Sequence, residues 1–143
     1  MDDKRQYSGN IVHNAMGNIL FSYFVYGGKT EKSLPPVDLR LKFPNMVFGV
    51  SPNHWFNLEH KERLVKEFVS KTNVALQSAL NSRGSTQALV TKMVEAQHMI
   101  LILDCWSVNL SEEFRLWVAK EHPKLHICYI PANCTGLYQI NDT

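Results

Sequence analysis

Apolar and polar positions fall into segments of different period along this chain. Residues 7–14 and 19–26 flank Ala15-Met-Gly-Asn18, where Gly17 can take positive φ, and the two arms predict a β-hairpin. The second arm, Ile-Leu-Phe-Ser-Tyr-Phe-Val-Tyr, is almost wholly apolar and should be well buried. Pro35, Pro36 and Pro44 among charges mark an irregular crossing segment. Residues 46–50 predict a short strand, and Ser51-Pro-Asn-His-Trp55 a turn. Asn57 can cap a helix to about residue 70, with Leu58, Leu64, Val65, Phe68 and Val69 as its apolar stripe. Residues 71–80 fit neither period clearly.

After the break at Asn81-Ser-Arg-Gly-Ser85, Ser85 can cap a second helix through Gln97, with Leu89, Met93 and Ala96 inward. Met99-Ile-Leu-Ile-Leu103 has no polar gap and predicts a strand buried on both faces, as in a parallel or mixed sheet. Asn109 with Glu112 three residues on resembles a capping box opening the next helix. That helix carries Leu110, Phe114, Trp117 and Val118 at helical spacing, and Pro123 closes it. Residues 125–130 form a last strand before Pro131. Hairpin, crossing segment, two helices, strand, helix, strand is the order of a mixed α/β sheet.

Length and composition fit one soluble domain spanning 1–143. A chain of 143 residues can bury roughly 68–70% of its unfolded surface. Its 45% hydrophobic and 20% charged content is that of a globular protein. A net charge of +2 neither requires nor excludes a nucleic-acid partner. Three cysteines, an odd number, without a signal peptide imply free thiols in a reducing compartment. No apolar run reaches the roughly 18 residues of a membrane helix, so no membrane partner is expected.

Asp104 follows the most apolar strand directly. In open α/β sheets, ligands and catalytic groups collect at the carboxyl ends of the strands. Asp104 is therefore the first candidate for chemistry, beside its simpler reading as a turn or N-cap residue.

The C-terminal half resembles the DDE-superfamily endonuclease domain of pogo, Tigger and jerky-type transposases. The resemblance is carried by Leu101-Ile-Leu-Asp-Cys-Trp106 and by Ile130-Pro-Ala-Asn-Cys-Thr-Gly-Leu-Tyr-Gln-Ile-Asn-Asp142. Asp3-Lys-Arg-Gln6, the hairpin with Gly17, Gly28-Lys-Thr30, Phe43-Pro44 and Asn53-His-Trp55 extend it over essentially the whole chain. It implies an RNase H-like mixed sheet flanked by helices, and DNA cleavage and joining with Mg2+ or Mn2+ held by carboxylates. Asp104 matches the family's second acid, and Asp142, after 37 intervening residues, its third. Both are candidate catalytic and metal-binding residues. Such carboxylates hold divalent ions that activate the attacking oxygen and stabilise the leaving one.

Two departures qualify what the resemblance implies. The family's first acid lies on a central strand ahead of the Asp-Lys-Arg-Gln stretch, where this sequence begins; Asp2 and Asp3 fall in the connector after that strand. Gln139-Ile-Asn-Asp142 lacks the family's proline, and one residue follows the acid. The implied domain thus lacks its first strand and is incomplete for catalysis. The resemblance implies a transposase-derived nucleic-acid-binding domain of nuclear location, with DNA as partner. The alternatives are a non-enzymatic remnant that binds DNA or protein, and an exon whose upstream sequence carries the missing acid. Self-association or a partner would supply the missing strand.

Lys4, Arg5 and Lys29, with Lys32, Arg40 and Lys42, concentrate positive charge in the first third, as a phosphate-tracking face or as an ordinary solvated surface. Gly27-Gly-Lys-Thr30 is not a phosphate loop, because Tyr23 stands where that motif needs glycine. Cys128 and Cys134 with His122 and His126 lack a zinc hook. Cys105 reads as a small buried thiol with no base placed to activate it. Glu112 and Glu113 are first-turn helix acids favoured by the dipole.

Overall fold

The computed structural model describes residues 6–131, and within them the chain is mixed α/β. The strands β1 (Tyr7–His13), β2 (Ile19–Gly27) and β3 (Met46–Ser51) make one sheet in the order β1-β2-β3; β4 (Met99–Leu103) and β5 (Leu125–Tyr129) make a second. The helices are α1 (Val37–Leu41), α2 (Leu58–Ser82), α3 (Gln87–Ala96), α4 (Ser107–Leu110) and α5 (Glu112–Glu121). No helix among the described residues is long and apolar enough to cross a membrane. The chain divides into two compact units, 1–64 and 65–143.

In the first unit the expected hairpin forms, β1 antiparallel to β2, with Gly17 at φ 81°. Asn14 stabilises its turn: the side-chain Oδ1 accepts from the amides of Met16 at 3.0 Å and Asn18 at 2.9 Å. β3 runs parallel to β2, which requires the crossing segment of residues 28–45. Burial along β2 alternates rather than running through the arm. Phe21, Tyr23 and Val25 point into the core, while Ile19 on the same strand is exposed. Val47, Phe56 and Leu64 complete that core, and the rings of Tyr23 and Phe56 meet edge to face at 5.1 Å between centroids.

Asn57 caps α2 as expected, its Oδ1 accepting from the His60 amide at 3.0 Å. The helix then runs unbroken to Ser82, so the ambiguous 71–80 stretch is helical. Ala75, Leu76 and Gln77 are strong helix formers, and no Gly or Pro interrupts them. The stripe is buried at Leu64, Val65 and Phe68 and only partly so at Leu58 and Val69.

The second unit corrects several expectations. Thr86, not Ser85, caps α3, its hydroxyl accepting from the Leu89 amide at 3.4 Å. Val90 is the buried residue of that helix, and Leu89, Met93 and Ala96 are exposed. Ser111, not Asn109, caps α5, with Phe114 and Val118 buried and Leu110 outside the helix. The Asn109 side chain is engaged elsewhere, as described below.

The strand β4 is not buried on both faces. Met99 and Leu101 are covered, whereas Ile100 and Ile102 are 64% and 63% exposed. An apolar run cannot distinguish a two-sided core strand from a strand with one face left uncovered. β4 and β5 pair in parallel, Met99 opposite Leu125 through Leu103 opposite Tyr129, with α4 and α5 in the crossover between them.

Candidate functional site

Asp104 stands one residue beyond the carboxyl end of β4, where the parallel pairing is still held: the Ile130 amide donates to the Leu103 carbonyl at 2.8 Å. Its carboxylate is half-buried and fixed from one side. Asn109 Nδ2 donates to Asp104 Oδ1 at 2.6 Å and also to the Asp104 backbone carbonyl at 3.2 Å. The short turn of α4 brings Asn109 back over Asp104, five residues earlier, and Asn109 itself is completely sealed from solvent.

Tyr129, at the end of β5, completes the arrangement by donating its phenolic hydrogen to the Asn109 backbone carbonyl at 2.8 Å. Burial is the main influence on that phenol and pushes its pKa up; Arg115 acts against it and Cys105 with it. Tyr129 therefore stays a neutral donor. Cys105 donates its S–H to the Ile130 carbonyl at 2.9 Å, so the half-buried thiol also ties the two strand ends together. The thiol is thus hydrogen-bonded but only half-buried, where the sequence reading expected a buried one. Cys128, by contrast, is exposed on β5.

Asn109 could be read from the sequence only as a cap. Its amide orientation follows from chemistry: with Nδ2 turned toward the Asp104 carboxylate, donor meets acceptor, whereas a flipped amide would set oxygen against oxygen. The cost of this orientation is Asn109 Oδ1, a buried acceptor with no hydrogen-bond partner among the described residues. The second Asp104 oxygen likewise has none among them. The half-exposed Asp104 carboxylate is a hard oxygen donor of the kind Mg2+ and Mn2+ take, whereas Asn109 Oδ1 is sealed from solvent and not open to a hydrated ion. No cluster of three or more His, Cys, Asp or Glu side chains able to hold a metal exists among the described residues.

Asp142, Lys4 and Arg5 lie outside the described residues. Lys29 is exposed in the turn after β2. Glu112 and Glu113 occupy the first turn of α5, as expected of dipole-stabilising acids.

Two further polar arrangements had no assigned role in the sequence. In the first unit His60 is buried between Tyr23 and Val50. Its position four residues before Leu64, on the apolar stripe of α2, was the available signal that it would need internal partners. In the second unit His126 of β5 meets His98, their Nε2 and Nδ1 atoms 2.8 Å apart. Among the described residues, neither Cys105, Cys128 nor His122 shares that contact. Compared with family models, curated proteins and solved structures, the chain matches none.

Proposed function

We propose that this chain is a transposase-derived, RNase H-like domain that binds nucleic acid and descends from a divalent-metal-dependent DNA endonuclease. One observation carries the reading: Asp104 emerges at the carboxyl end of a strand in a parallel pair, its carboxylate oriented by a buried asparagine, where such an enzyme would place an acid. The hairpin that precedes it and the helical crossover that follows accord with the same ancestry.

In this reading Asp104, with Asp142 as its proposed second acid, would hold Mg2+ or Mn2+. When bound, the ion would supply activation of the attacking oxygen and stabilisation of the leaving one. The chain's own residues prepare the ligand. Asn109 fixes the carboxylate rotamer, and Tyr129 and Cys105 hold the two strand ends in place.

A non-enzymatic remnant is the second reading, and the outward Ile100 and Ile102 favour it. Adjacent exposed isoleucines on one sheet face suit a protein partner better than solvent.

Calorimetric Mn2+ titration of the purified chain beside Asp104→Asn, with circular dichroism on both, tests the proposal. Saturable binding lost in the folded variant supports the endonuclease ancestry, and nicking of supercoiled DNA is then the next assay. A folded wild-type chain that binds no Mn2+ would leave the binding-module reading.

A further inference from the structure

His98 and His126 form a contact that the Asp104 site does not use. His98 immediately precedes β4, and His126 is the second residue of β5, paired in register with Ile100. The alternation of β4 puts His98 on the same outward side as Ile100 and Ile102. The two rings are nearly parallel, with an interplanar angle of 11°, and their centroids are 5.1 Å apart. The nitrogens are 2.8 Å apart, so the centroid separation exceeds the nitrogen separation by only about the two ring radii. The imidazoles therefore lie edge to edge, with His98 Nδ1 and His126 Nε2 facing each other.

Such a pair is held by one proton: one nitrogen donates and the other accepts. A metal ion that prefers imidazole can replace that proton and bind both nitrogens. Ligands about 2.0–2.1 Å from one tetrahedral ion stand about 3.3–3.4 Å apart. The pair must then open by about half an ångström and tilt. Both side chains are exposed, so small χ rotations suffice. The backbones that carry them are tied down by the β4–β5 pairing and by the Met99 amide, which donates to the Lys124 carbonyl at 3.0 Å.

We infer that His98 and His126 form an open two-imidazole site for a late first-row transition ion such as Ni2+, Cu2+ or Zn2+, one that staples β4 to β5. Water completes the coordination sphere. The site is chemically and spatially separate from Asp104, which favours hard ions and lies at the other end of β4, roughly 20 Å away at about 3.3 Å per residue.

The experiment is a NiCl2 titration of the full chain by calorimetry at pH 7.5, followed by histidine side-chain NMR. Wild type is compared with His98→Gln, His126→Gln, Asp104→Asn and the double variant Cys128→Ser/Cys134→Ser. The expected result is saturable binding that falls at least about 10-fold in either histidine variant, because one imidazole alone forms no chelate. It stays unchanged in the Asp104 and cysteine variants, and paramagnetic broadening reaches His98 and His126 first. No saturable binding, binding that survives the histidine variants, or binding lost with the cysteines would each overturn the site. The NMR readout uses the unmodified chain, so the outcome does not depend on any variant folding.

Discussion

Tyr23 donates its phenolic hydrogen to Nδ1 of His60 across 2.8 Å in the interior of the first unit. The direction follows from the other side of the ring. His60 Nε2 lies 3.1 Å from the Val50 carbonyl, which can only accept, so Nε2 carries the hydrogen and Nδ1 offers its lone pair. These roles are those of the neutral imidazole, the form that burial favours. Burial, the largest influence, lowers the His60 pKa; Arg63 acts the same way, against the raising effects of the Val50 bond and Glu59.

Stability should therefore fall in mild acid. The unfolded chain takes up a proton on His60 near pH 6.5, whereas the folded chain does so only at lower pH. The contribution is fully present above the unfolded value and is lost as pH falls through the folded one. Urea unfolding at a series of pH values from 7.5 downward should show a declining midpoint, and a His60→Phe variant should remove the part of the slope due to this residue.

Tyr23→Phe should cost about 1–3 kcal/mol, because it leaves a buried Nδ1 without its donor while keeping the ring. Chemical denaturation measures this directly.

Gly49 is constrained by the same pair. A Cβ there would stand 2.7 Å from His60 Cε1 and 2.9 Å from the Tyr23 hydroxyl oxygen. Gly49→Ala should destabilise by about 1–3 kcal/mol through overpacking. Gly17→Ala meets no atom within 4 Å yet must adopt φ 81°, so its cost of about 1–2 kcal/mol is conformational. Relieving the crowding with a smaller residue at 60 should partly rescue Gly49→Ala and leave Gly17→Ala unchanged, as a double-mutant cycle would read out.

Asn109→Ala should lose about 1–3 kcal/mol by unpairing the Asp104 carboxylate and opening a buried space. If Asp104 is a metal ligand, the same variant should weaken Mn2+ binding while circular dichroism stays native-like. Unaltered Mn2+ affinity would remove Asn109 from the site.

The two faces of β4 should respond in opposite ways. Leu101→Ala should cost about 2–5 kcal/mol, the range for a truncated core leucine. Ile100→Thr with Ile102→Thr should change stability by about 0.5 kcal/mol or less per site, as surface changes do. Sedimentation velocity should show less self-association in the double variant if that face mediates it.

Local chemistry made much of this fold legible. Gly17 between two apolar arms announced the hairpin, Asn57 the start of α2, and Pro123 the end of α5. Misjudgements arose where an apolar stripe had to be assigned a partner. Leu89 and Met93 are as hydrophobic as Val90, but only Val90 is covered, and nothing in their spacing records which side another element occupies. The same applies to Ile100 and Ile102. Asn109 was misread for another reason. Asparagine serves equally as a cap or as a clamp, and the choice was settled by the Asp104 carboxylate arriving within 2.6 Å, a tertiary fact. The arrangement at the end of β4 was thus half legible: the position of Asp104 after a strand could be read, its contact with Asn109 could not.

The two described cysteines differ in a way useful to an experimenter. Cys105 is held by its bond to the Ile130 carbonyl, while Cys128 projects into solvent on β5, paired in register with Ile102. With Cys134 replaced by serine, a maleimide dye should couple to Cys128 well before Cys105. A fluorophore placed there would sit beside the exposed isoleucines, and its emission would report whatever comes to cover them.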